Sequence, residues 1–368
     1  MMKKTWILSP DRKLTEDEKK LIWKKPDSHK VSEQEMRISD EVKCNWNSEE
    51  MKISNILLEG DAGTGKTQLA KALSANFGLP YTKITCFADM DKSDVLGSIL
   101  PVLSEDQQIE LDLTSNHYLK ILYKHDSIQA AIDEIVSIEG DSREEVSKRI
   151  KEMIQRLETY KGREKISYRF YPSEIIRAFE KGYLLEIQEP TVIRDAAVLM
   201  ALNSALEPNG SINLPTGMIK RHPDFIVVIT TNRGYSGCRL LNEALRDRIH
   251  HAEKMDLPSI ETMMERAMAK TGCTDKEVLN LLAHTIITLD QVAKASAIKG
   301  VAGMRSYFYW IDAVLRTDQV KESLYHKVIY KMTTDQEEIK ILEEALVRCG
   351  IMDQIEEMQL LRKKKVLK

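Results

Sequence analysis

The sequence predicts an α/β protein in which a doubly wound parallel sheet precedes an all-helical domain. Apolar, β-branched strands alternate with amphipathic helices through the first 255 residues, and a glycine-rich loop joins an early strand to a helix. Strand patterns nearly vanish from Asp256 onward. Alternating strands and helices are typical of a parallel sheet covered by helices on both faces. A chain of 368 residues is long enough for two such domains.

The composition favours a soluble, cytoplasmic protein. With 54 basic and 57 acidic residues, the net charge of −3 gives no electrostatic argument for a nucleic acid or an anionic membrane as the main partner. The cysteines are scattered without a CxxC pair, which supports neither a zinc site nor a disulfide framework. The N-terminal stretch MMKKTWILSPDRK has only three consecutive apolar residues, far short of a signal-peptide core.

The first hundred residues contain the first strands of the predicted sheet. Residues 1–50 are polar with little periodicity, and we interpret them as an arm available to pack on a neighbour. Residues 53–58 are typical of a buried strand, and 67–77 of a helix with one apolar face. Residues 83–88 predict a second strand.

Residues 101–170 differ from their surroundings because polar, helical patterns dominate, which predicts a helical insertion between strands. A capping box, Ser142-x-x-Glu145, opens one helix. Its apolar stripe consists of Val146, Ile150, Met153, Ile154 and Leu157. An extra cover for the core and a working appendage explain this insertion about equally well.

The remaining strands of the sheet follow this insertion. Residues 183–187 predict a third strand and 225–230 a fourth, whose continuous apolar character suits a sheet buried on both faces. We expect a helix over 191–206 and a hairpin or loop over 211–223.

Together these patterns predict three regions. They are an N-terminal polar arm (1–50), an α/β domain with its insertion (51–255) and a helical domain (256–368).

The most specific motif is LLEGDAGTGKT, residues 57–67, which matches G-x-x-x-x-G-K-[ST] between a strand and a helix. Glycines let successive backbone N–H groups turn toward phosphate oxygens, and the helix directs its positive end at the same anion. In such a loop Lys66 reaches the β- and γ-phosphates, and the Thr67 hydroxyl ligates Mg²⁺. We expect ATP to contact Gly60, Asp61, Ala62, Gly63, Thr64, Gly65, Lys66, Thr67 and Gln68.

The order of motifs after this loop resembles that of the AAA+ ATPases, and more narrowly the MoxR-like group, over roughly residues 50–350. Residues 91–101 are similar to the segment that follows the second strand in these proteins, and YLLEIQEP to their Walker B strand. The segment 222–232 resembles a sensor 1 strand, 241–249 an arginine-finger segment and 299–310 a sensor 2 helix. The insertion and the 211–223 segment lie where this group carries a helical insert and a hairpin.

The resemblance implies four catalytic residues: Glu189, Asn232, Arg248 and Arg305. Glu189 would polarise the attacking water, and Asn232 would orient water or touch the γ-phosphate at the end of a central strand. Arg248, or next best Arg246, would stabilise charge at a neighbour's nucleotide. Structural alternatives remain open: a turn residue for Asn232, a surface salt bridge for Arg248, and a helix cap or interdomain ion pair for Arg305.

The Walker B strand departs from the family pattern, since Gln188 stands where Asp is usual. An amide still accepts a hydrogen bond from metal-bound water but contributes no charge, so Gln188 joins Thr67 as a candidate magnesium ligand. Glu186 lies on the same strand face, roughly 6–7 Å farther from the phosphates. It would tune the metal site or pair with a basic side chain of the sheet.

We therefore expect an ATP hydrolase, slow or dependent on assembly, that forms a ring, most plausibly a hexamer, and remodels a protein partner. For the MoxR-like group the resemblance implies a partner with a von Willebrand factor A domain. One alternative is an ATP-gated scaffold that Gln188 keeps from rapid turnover. Another is a nucleic-acid remodelling ring with a pore lined by lysines of the insertion or by Lys220 and Arg221. A small-molecule kinase fits poorly, because the helical second half offers no evident acceptor site.

Overall fold

The computed structural model describes residues 5–102, 113–125, 128–159, 167–195, 197–200, 202–232 and 241–366. The strands are, in chain order, β1 (Asn55–Gly60), β2 (Tyr81–Thr85), β3 (Gly97–Val102), β4 (Ser167–Pro172), β5 (Leu184–Gln188), β6 (Ser211–Leu214), β7 (Gly217–Lys220), β8 (Ile226–Asn232) and β9 (His251–Met255).

The helices of the first 255 residues are α1 (Glu16–Leu21), α2 (Glu33–Asn45), α3 (Lys66–Phe77), α4 (Lys92–Leu96), α5 (Leu113–Lys124), α6 (Ile128–Glu139), α7 (Arg143–Thr159), α8 (Glu174–Lys181), α9 (Ala197–Met200) and α10 (Glu243–Asp247). Those that follow are α11 (Ile260–Thr271), α12 (Lys276–Ala295), α13 (Met304–Thr317), α14 (Val320–Leu324), α15 (Tyr330–Met332), α16 (Gln336–Arg348) and α17 (Ile351–Val366). A 3-10 turn covers Pro190–Val192 and a π turn covers Tyr325–Ile329.

The central sheet is parallel throughout, with the strand order β2-β5-β8-β1-β9. Side chains of successive residues point to opposite faces, so Ile56 packs with α2 and α3 while Leu57 packs with α8. Both faces are therefore covered by helices, and the predicted doubly wound α/β fold is confirmed. The register places Gly60 beside Asn232, and Gln188 between Thr85 and Thr230.

The predicted insertion is a small helical unit on a two-stranded stem. Strands β3 and β4 pair antiparallel, and α5, α6 and α7 between them bury a core of their own. The expected capping box is present, because Ser142 and Glu145 bond each other's backbone N–H groups at 3.2 and 3.3 Å. Val146, Ile150 and Met153 of the stripe are buried and Ile154 packs on them, while the Leu157 side chain lies outside the described residues.

The N-terminal segment packs on its own chain, and its expected packing on a neighbour stays a prediction. Ile38, Val42 and Trp46 are buried against the α3 residues Leu69 and Leu73. These three side chains recur every four residues along α2, a helical period that the polar composition of residues 1–50 obscured.

The prediction of one helix over 191–206 was wrong, because the described helical parts are shorter. The helical parts described there are the Pro190–Val192 turn and α9. The backbone N–H of Arg194 bonds Ala88 O at 3.0 Å, and the Asp195 side chain accepts from the N–H of Ala197 at 2.9 Å. A tertiary hydrogen bond thus interrupts the helix, and a local cap starts the next one.

The expected hairpin before β8 is present as the antiparallel pair β6–β7. After Met255 the described elements are all helical, and they share a core that includes Trp310, Tyr307 and Leu282. Among the described residues, none of the helices combines the length and apolarity needed to cross a bilayer.

Candidate functional site at the sheet's carboxyl edge

The loop between β1 and α3 has the backbone shape that its glycines predict. Gly63 and Gly65 adopt φ values of 80° and 99°, a region in which other residues are strained. Nothing lies within 4 Å of a Cβ placed on Gly65, which is the N-cap of α3. The loop is therefore open in front of the helix N-terminus, where the helix dipole favours an anion.

Lys66 lies at the centre of this loop with its side chain directed along it. Its Nζ donates to Gly60 O at 2.9 Å, to Asp61 O at 2.8 Å and to Asn232 Oδ1 at 2.7 Å. The sheet register brings Asn232 here, since it ends β8 beside Gly60. The ammonium and the amide expected at the γ-phosphate are thus in direct contact.

Gln188 connects the end of β5 to the loop helix. Its Nε2 donates to Thr67 Oγ1 at 3.2 Å, and its Oε1 accepts from Thr85 Oγ1 at 2.9 Å. Both partners are hydroxyls, which donate or accept equally well, so the amide can turn over and keep both bonds. Thr85 on β2 is a member of the site that the sequence did not reveal, because strand neighbours across the sheet are not adjacent in the chain.

Glu189 follows β5 in a left-handed conformation, with φ 54° and ψ 48°. Such a backbone is uncommon for a residue with a side chain and clusters at functional sites. Its Oε2 accepts from the N–H of Asn232 at 3.0 Å. Burial raises the pKa of Glu189, assisted by the charge of Glu186 and opposed by the Asn232 bond and by Lys66. The carboxyl group is therefore a stronger base than an exposed one.

Glu186 is fully buried within the sheet and accepts hydrogen bonds from two hydroxyls. Thr230 Oγ1 donates to it at 2.9 Å, and the Tyr81 hydroxyl donates to its other oxygen. Burial and this carboxylate raise the pKa of Tyr81, so the phenol stays protonated. Of the two roles expected for Glu186, these contacts do not show pairing with a basic side chain. Hydroxyls satisfy the carboxylate instead.

The helical domain approaches the loop at the start of α13. A Cβ on Gly303 would lie 3.1 Å from Ala62 O, a space that suits only glycine without adjustment. Arg305, two residues later, is exposed, and its charge adds to burial in lowering the pKa of Lys331. The helical domain therefore contacts the loop at Gly303, and the role of Arg305 as the sensor 2 arginine stays a prediction.

The two candidate arginine fingers are engaged within their own chain. Arg248 donates to Ala244 O at 2.7 Å and to Glu207 at 3.2 Å, and its buried Nε has no partner among the described residues. Arg246 is more exposed and pairs with Glu59 at 2.8 Å, next to Gly60. Neither pair excludes a role toward a second subunit, since both side chains reach the surface.

The donor set fits a magnesium ion held through oxygen. Thr67 supplies a hydroxyl and Gln188 an amide oxygen, hard ligands of the kind that Mg²⁺ takes along with water and phosphate. Across the described ranges, no group of three or more acidic, cysteine or histidine side chains forms a metal-binding cluster.

The first strand of this parallel sheet runs through a glycine-rich loop into a helix that begins with a lysine and a threonine. This arrangement defines a P-loop protein. Residues 55–141 match the family model of the AAA domain, dynein-related subfamily. With the helical domain after β9, the fold is that of an AAA+ α/β domain followed by a lid. The matched residues run from β1 through the glycine loop into the helical insertion and end before α7.

Several bacterial proteins are similar in sequence. An uncharacterized protein of Staphylococcus aureus strain USA300 is 23% identical over 289 residues, 77% of this chain and 86% of its own. An uncharacterized protein of Staphylococcus haemolyticus is 28% identical over 196 residues, 53% of this chain and 52% of its own. Among solved structures, a point mutant of Thermotoga maritima RuvB gives a TM-score of 0.38 at 14% identity, covering 88% of this chain and 74% of that one.

Proposed function

We propose that the protein binds Mg-ATP and hydrolyses it at the edge of the sheet where β1, β5 and β8 end. The observation that carries this proposal is the convergence of Lys66, Asn232 and Glu189 through hydrogen bonds of 2.7 and 3.0 Å. An ammonium, an amide and a raised-pKa carboxyl within one network provide charge neutralisation, orientation and a base.

Each residue has a defined task in this proposal. The loop N–H groups and Lys66 bind the β- and γ-phosphates, and Lys66 leaves its loop carbonyls to do so. Glu189 takes a proton from the attacking water, and Asn232 holds that water or a γ-phosphate oxygen in line. When bound, Mg²⁺ would neutralise phosphate charge, held by Thr67 and Gln188.

We propose that turnover is slow, because Gln188 supplies an oxygen without a negative charge. An uncharged ligand binds a divalent cation less strongly than a carboxylate does. In addition, Thr67 and Gln188 bond each other here, and the metal has to replace that bond.

We further propose a cytoplasmic MoxR-like ring, most plausibly a hexamer, that remodels a protein partner with a von Willebrand factor A domain. The support is the motif order of the sequence, together with an insertion and a hairpin that project from the α/β domain (51–255). The lid (256–368) would move against that domain during turnover. An arginine acting on a neighbour's nucleotide requires a head-to-tail interface, which closes into a ring.

Phosphate release by the purified protein tests this function. We expect wild-type release above that of Lys66→Ala and of Glu189→Gln, and release that rises with protein concentration as subunits assemble. Wild-type release no higher than the Lys66→Ala background would falsify the hydrolysis part.

A second candidate, an ATP-gated scaffold, is favoured by one contact, the Gln188–Thr67 bond at 3.2 Å. For the scaffold, Mg-ATP drives assembly and phosphate release stays at background. A nucleic-acid remodelling ring is less well supported, because Arg221 is half-buried and engaged within its own chain. It bonds Ser54 and Asn55 at 2.9 Å and so does not line a pore.

A further inference from the structure

One ion pair joins the helical domain to the phosphate loop. Lys294, near the end of α12, lies with its Nζ 2.6 Å from Asp61 Oδ2. The same Nζ lies 2.7 Å from Asp290 Oδ2, one helical turn earlier. Asp61 is the residue directly after Gly60, so Lys294 forms an ion pair with the loop at its start.

The two carboxylates are far less exposed than the lysine between them. The side chains of Asp61 and Asp290 are 17% and 7% exposed, against 52% for Lys294. Burial raises the pKa of Asp290, and the charges of Asp61 and Asp256 add to this effect against the Lys294 bond. Burial lowers the pKa of Lys294, but its bonds to Asp290 and Asp61 outweigh burial and leave that pKa raised.

A negative side chain in a phosphate loop opposes the binding of a triphosphate. Like charges in a partly buried site repel because little water screens them. Asp61 and Asp290 carry two negative charges, and Lys294 reduces their sum to one. Its loss would leave both carboxylates without this ammonium, one of them in the loop itself.

Asp61 is also the point at which Lys66 and Lys294 meet. Lys66 donates to its backbone O at 2.8 Å, while Lys294 holds its side chain at 2.6 Å. A triphosphate that draws Lys66 away would leave Asp61 held by Lys294. The nearby contact of Gly303 with Ala62 adds a second point at which the lid touches the loop.

We propose that Lys294 is a positioning residue: it holds the lid on the phosphate loop and neutralises Asp61, so that nucleotide affinity depends on this pair. The inference about nucleotide affinity rests on the proposed function, whereas the coupling of lid and loop does not. Lys294 acts through Asp61 and need not touch the nucleotide.

Substitutions on both sides of the pair test this proposal by calorimetric titration with Mg-ATP. Lys294→Met is expected to weaken binding about tenfold, a usual size for coupling between sites. Adding Asp61→Asn to that variant removes the unpaired charge that lies in the loop itself and restores most of the affinity. Lys294→Arg keeps the charge and stays within about twofold of the wild type.

Kinetics separate positioning from general damage, because loss of Lys294 should raise KM for ATP with little change in kcat. Lys321→Met is the matched control, since Lys321 pairs with Glu356 at 2.5 Å inside the helical domain, away from the loop. We expect wild-type binding from this control. Unchanged affinity in Lys294→Met, or no rescue by Asp61→Asn, overturns the proposal.

Thermal unfolding without nucleotide distinguishes failure of this inference from failure of the proposed function. If the pair couples lid and loop, the Tm losses of Lys294→Met and Asp61→Asn are not additive in the double variant. Additive losses overturn the coupling, whether or not ATP binds. The wild type could also show the coupling without binding ATP. That result overturns the dependence of nucleotide affinity on the pair and refutes the proposed function.

Discussion

Gln188 lies where the proposed site would hold its metal ion. It ends β5 between the hydroxyls of Thr85 and Thr67, and both bonds suit an amide or a carboxylate. A carboxylate at this position would accept from both hydroxyls and add a negative charge beside the magnesium site. A carboxylate would therefore change the charge and make the Thr67 hydroxyl the donor of its bond to residue 188.

Gln188→Asp should accelerate hydrolysis and lower the Mg²⁺ concentration needed for half-maximal rate. We expect about tenfold on the rate, equal to about 1.4 kcal/mol of better charge stabilisation. Gln188→Asn, of equal length but neutral, is the control and should gain nothing. Phosphate release titrated with Mg²⁺ measures both variants, and equal rates for the two would show that charge at residue 188 is not limiting.

The raised pKa of Glu189 predicts the pH at which the rate of hydrolysis falls as the solution becomes more acidic. A general base acts in its ionised form, so a raised pKa moves the half-maximal rate to a pH above the ordinary glutamate value of about 4.3. The profile of kcat/KM against pH, which reports groups of the free protein, measures this midpoint in the wild type. A midpoint at or below the ordinary value would argue against Glu189 as the base.

Part of this site could be predicted from sequence, because contiguous residues encode it. The loop 60–68 and the strand ends at Glu189 and Asn232 were predicted and lie together. Thr85 and Lys294 were missed, since their contacts depend on strand order and on where the lid lies. The hydroxyl partners of Glu186 were missed for the same reason: β2 and β8 flank β5 only in the folded sheet.

At the scale of elements, the sequence predicted those whose periodicity is strong. The four strands and the helical insertion were confirmed, whereas α2 was missed because its apolar residues are diluted by charge. The predicted helix over 191–206 failed because a backbone bond to Ala88 takes the N–H of Arg194. Long-range hydrogen bonds of this kind are invisible to local patterns.

The end of the hairpin offers a matched pair of basic residues. Arg221 follows β7 and bonds Ala205 O, Glu207 O, Ser54 and Asn55, and burial lowers its pKa to about 10. Lys220 beside it is exposed. The arginine therefore fastens the hairpin to the start of β1.

Arg221→Met should destabilise the protein by about 3 kcal/mol, because several buried acceptors lose their donor at once. Lys220→Met should change the free energy of unfolding by no more than about 0.5 kcal/mol. Urea denaturation measures both. Equal stability of the two variants would show that Arg221 is not structural and would revive its role in binding nucleic acid.

At the scale of the assembly, the arginine finger can be tested by mixing subunits. Lys66→Ala and Arg248→Ala should each lose most phosphate release when pure. If Arg248 acts on a neighbour, a mixture regains activity at interfaces that combine an intact loop with an intact arginine. No recovery would place Arg248 within its own chain, where it already contacts Ala244 and Glu207.

The same mixture made with Arg246→Ala decides between the two arginines. Arg246 pairs with Glu59 in its own chain, and this exposed pair contributes little stability. Loss of release in pure Arg246→Ala, with recovery on mixing, would assign the finger to Arg246. Unchanged release in pure Arg246→Ala leaves Arg248 as the residue that acts in trans.

Calorimetric titration with Mg-ATP tests most directly whether the glycine-rich loop binds a triphosphate. The expected result is saturable binding by the wild type and a loss of at least about tenfold in affinity for Lys66→Ala, since the ammonium no longer meets the β- and γ-phosphates. Absence of binding by the wild type, or equal affinity of the two proteins, would contradict this role of the loop.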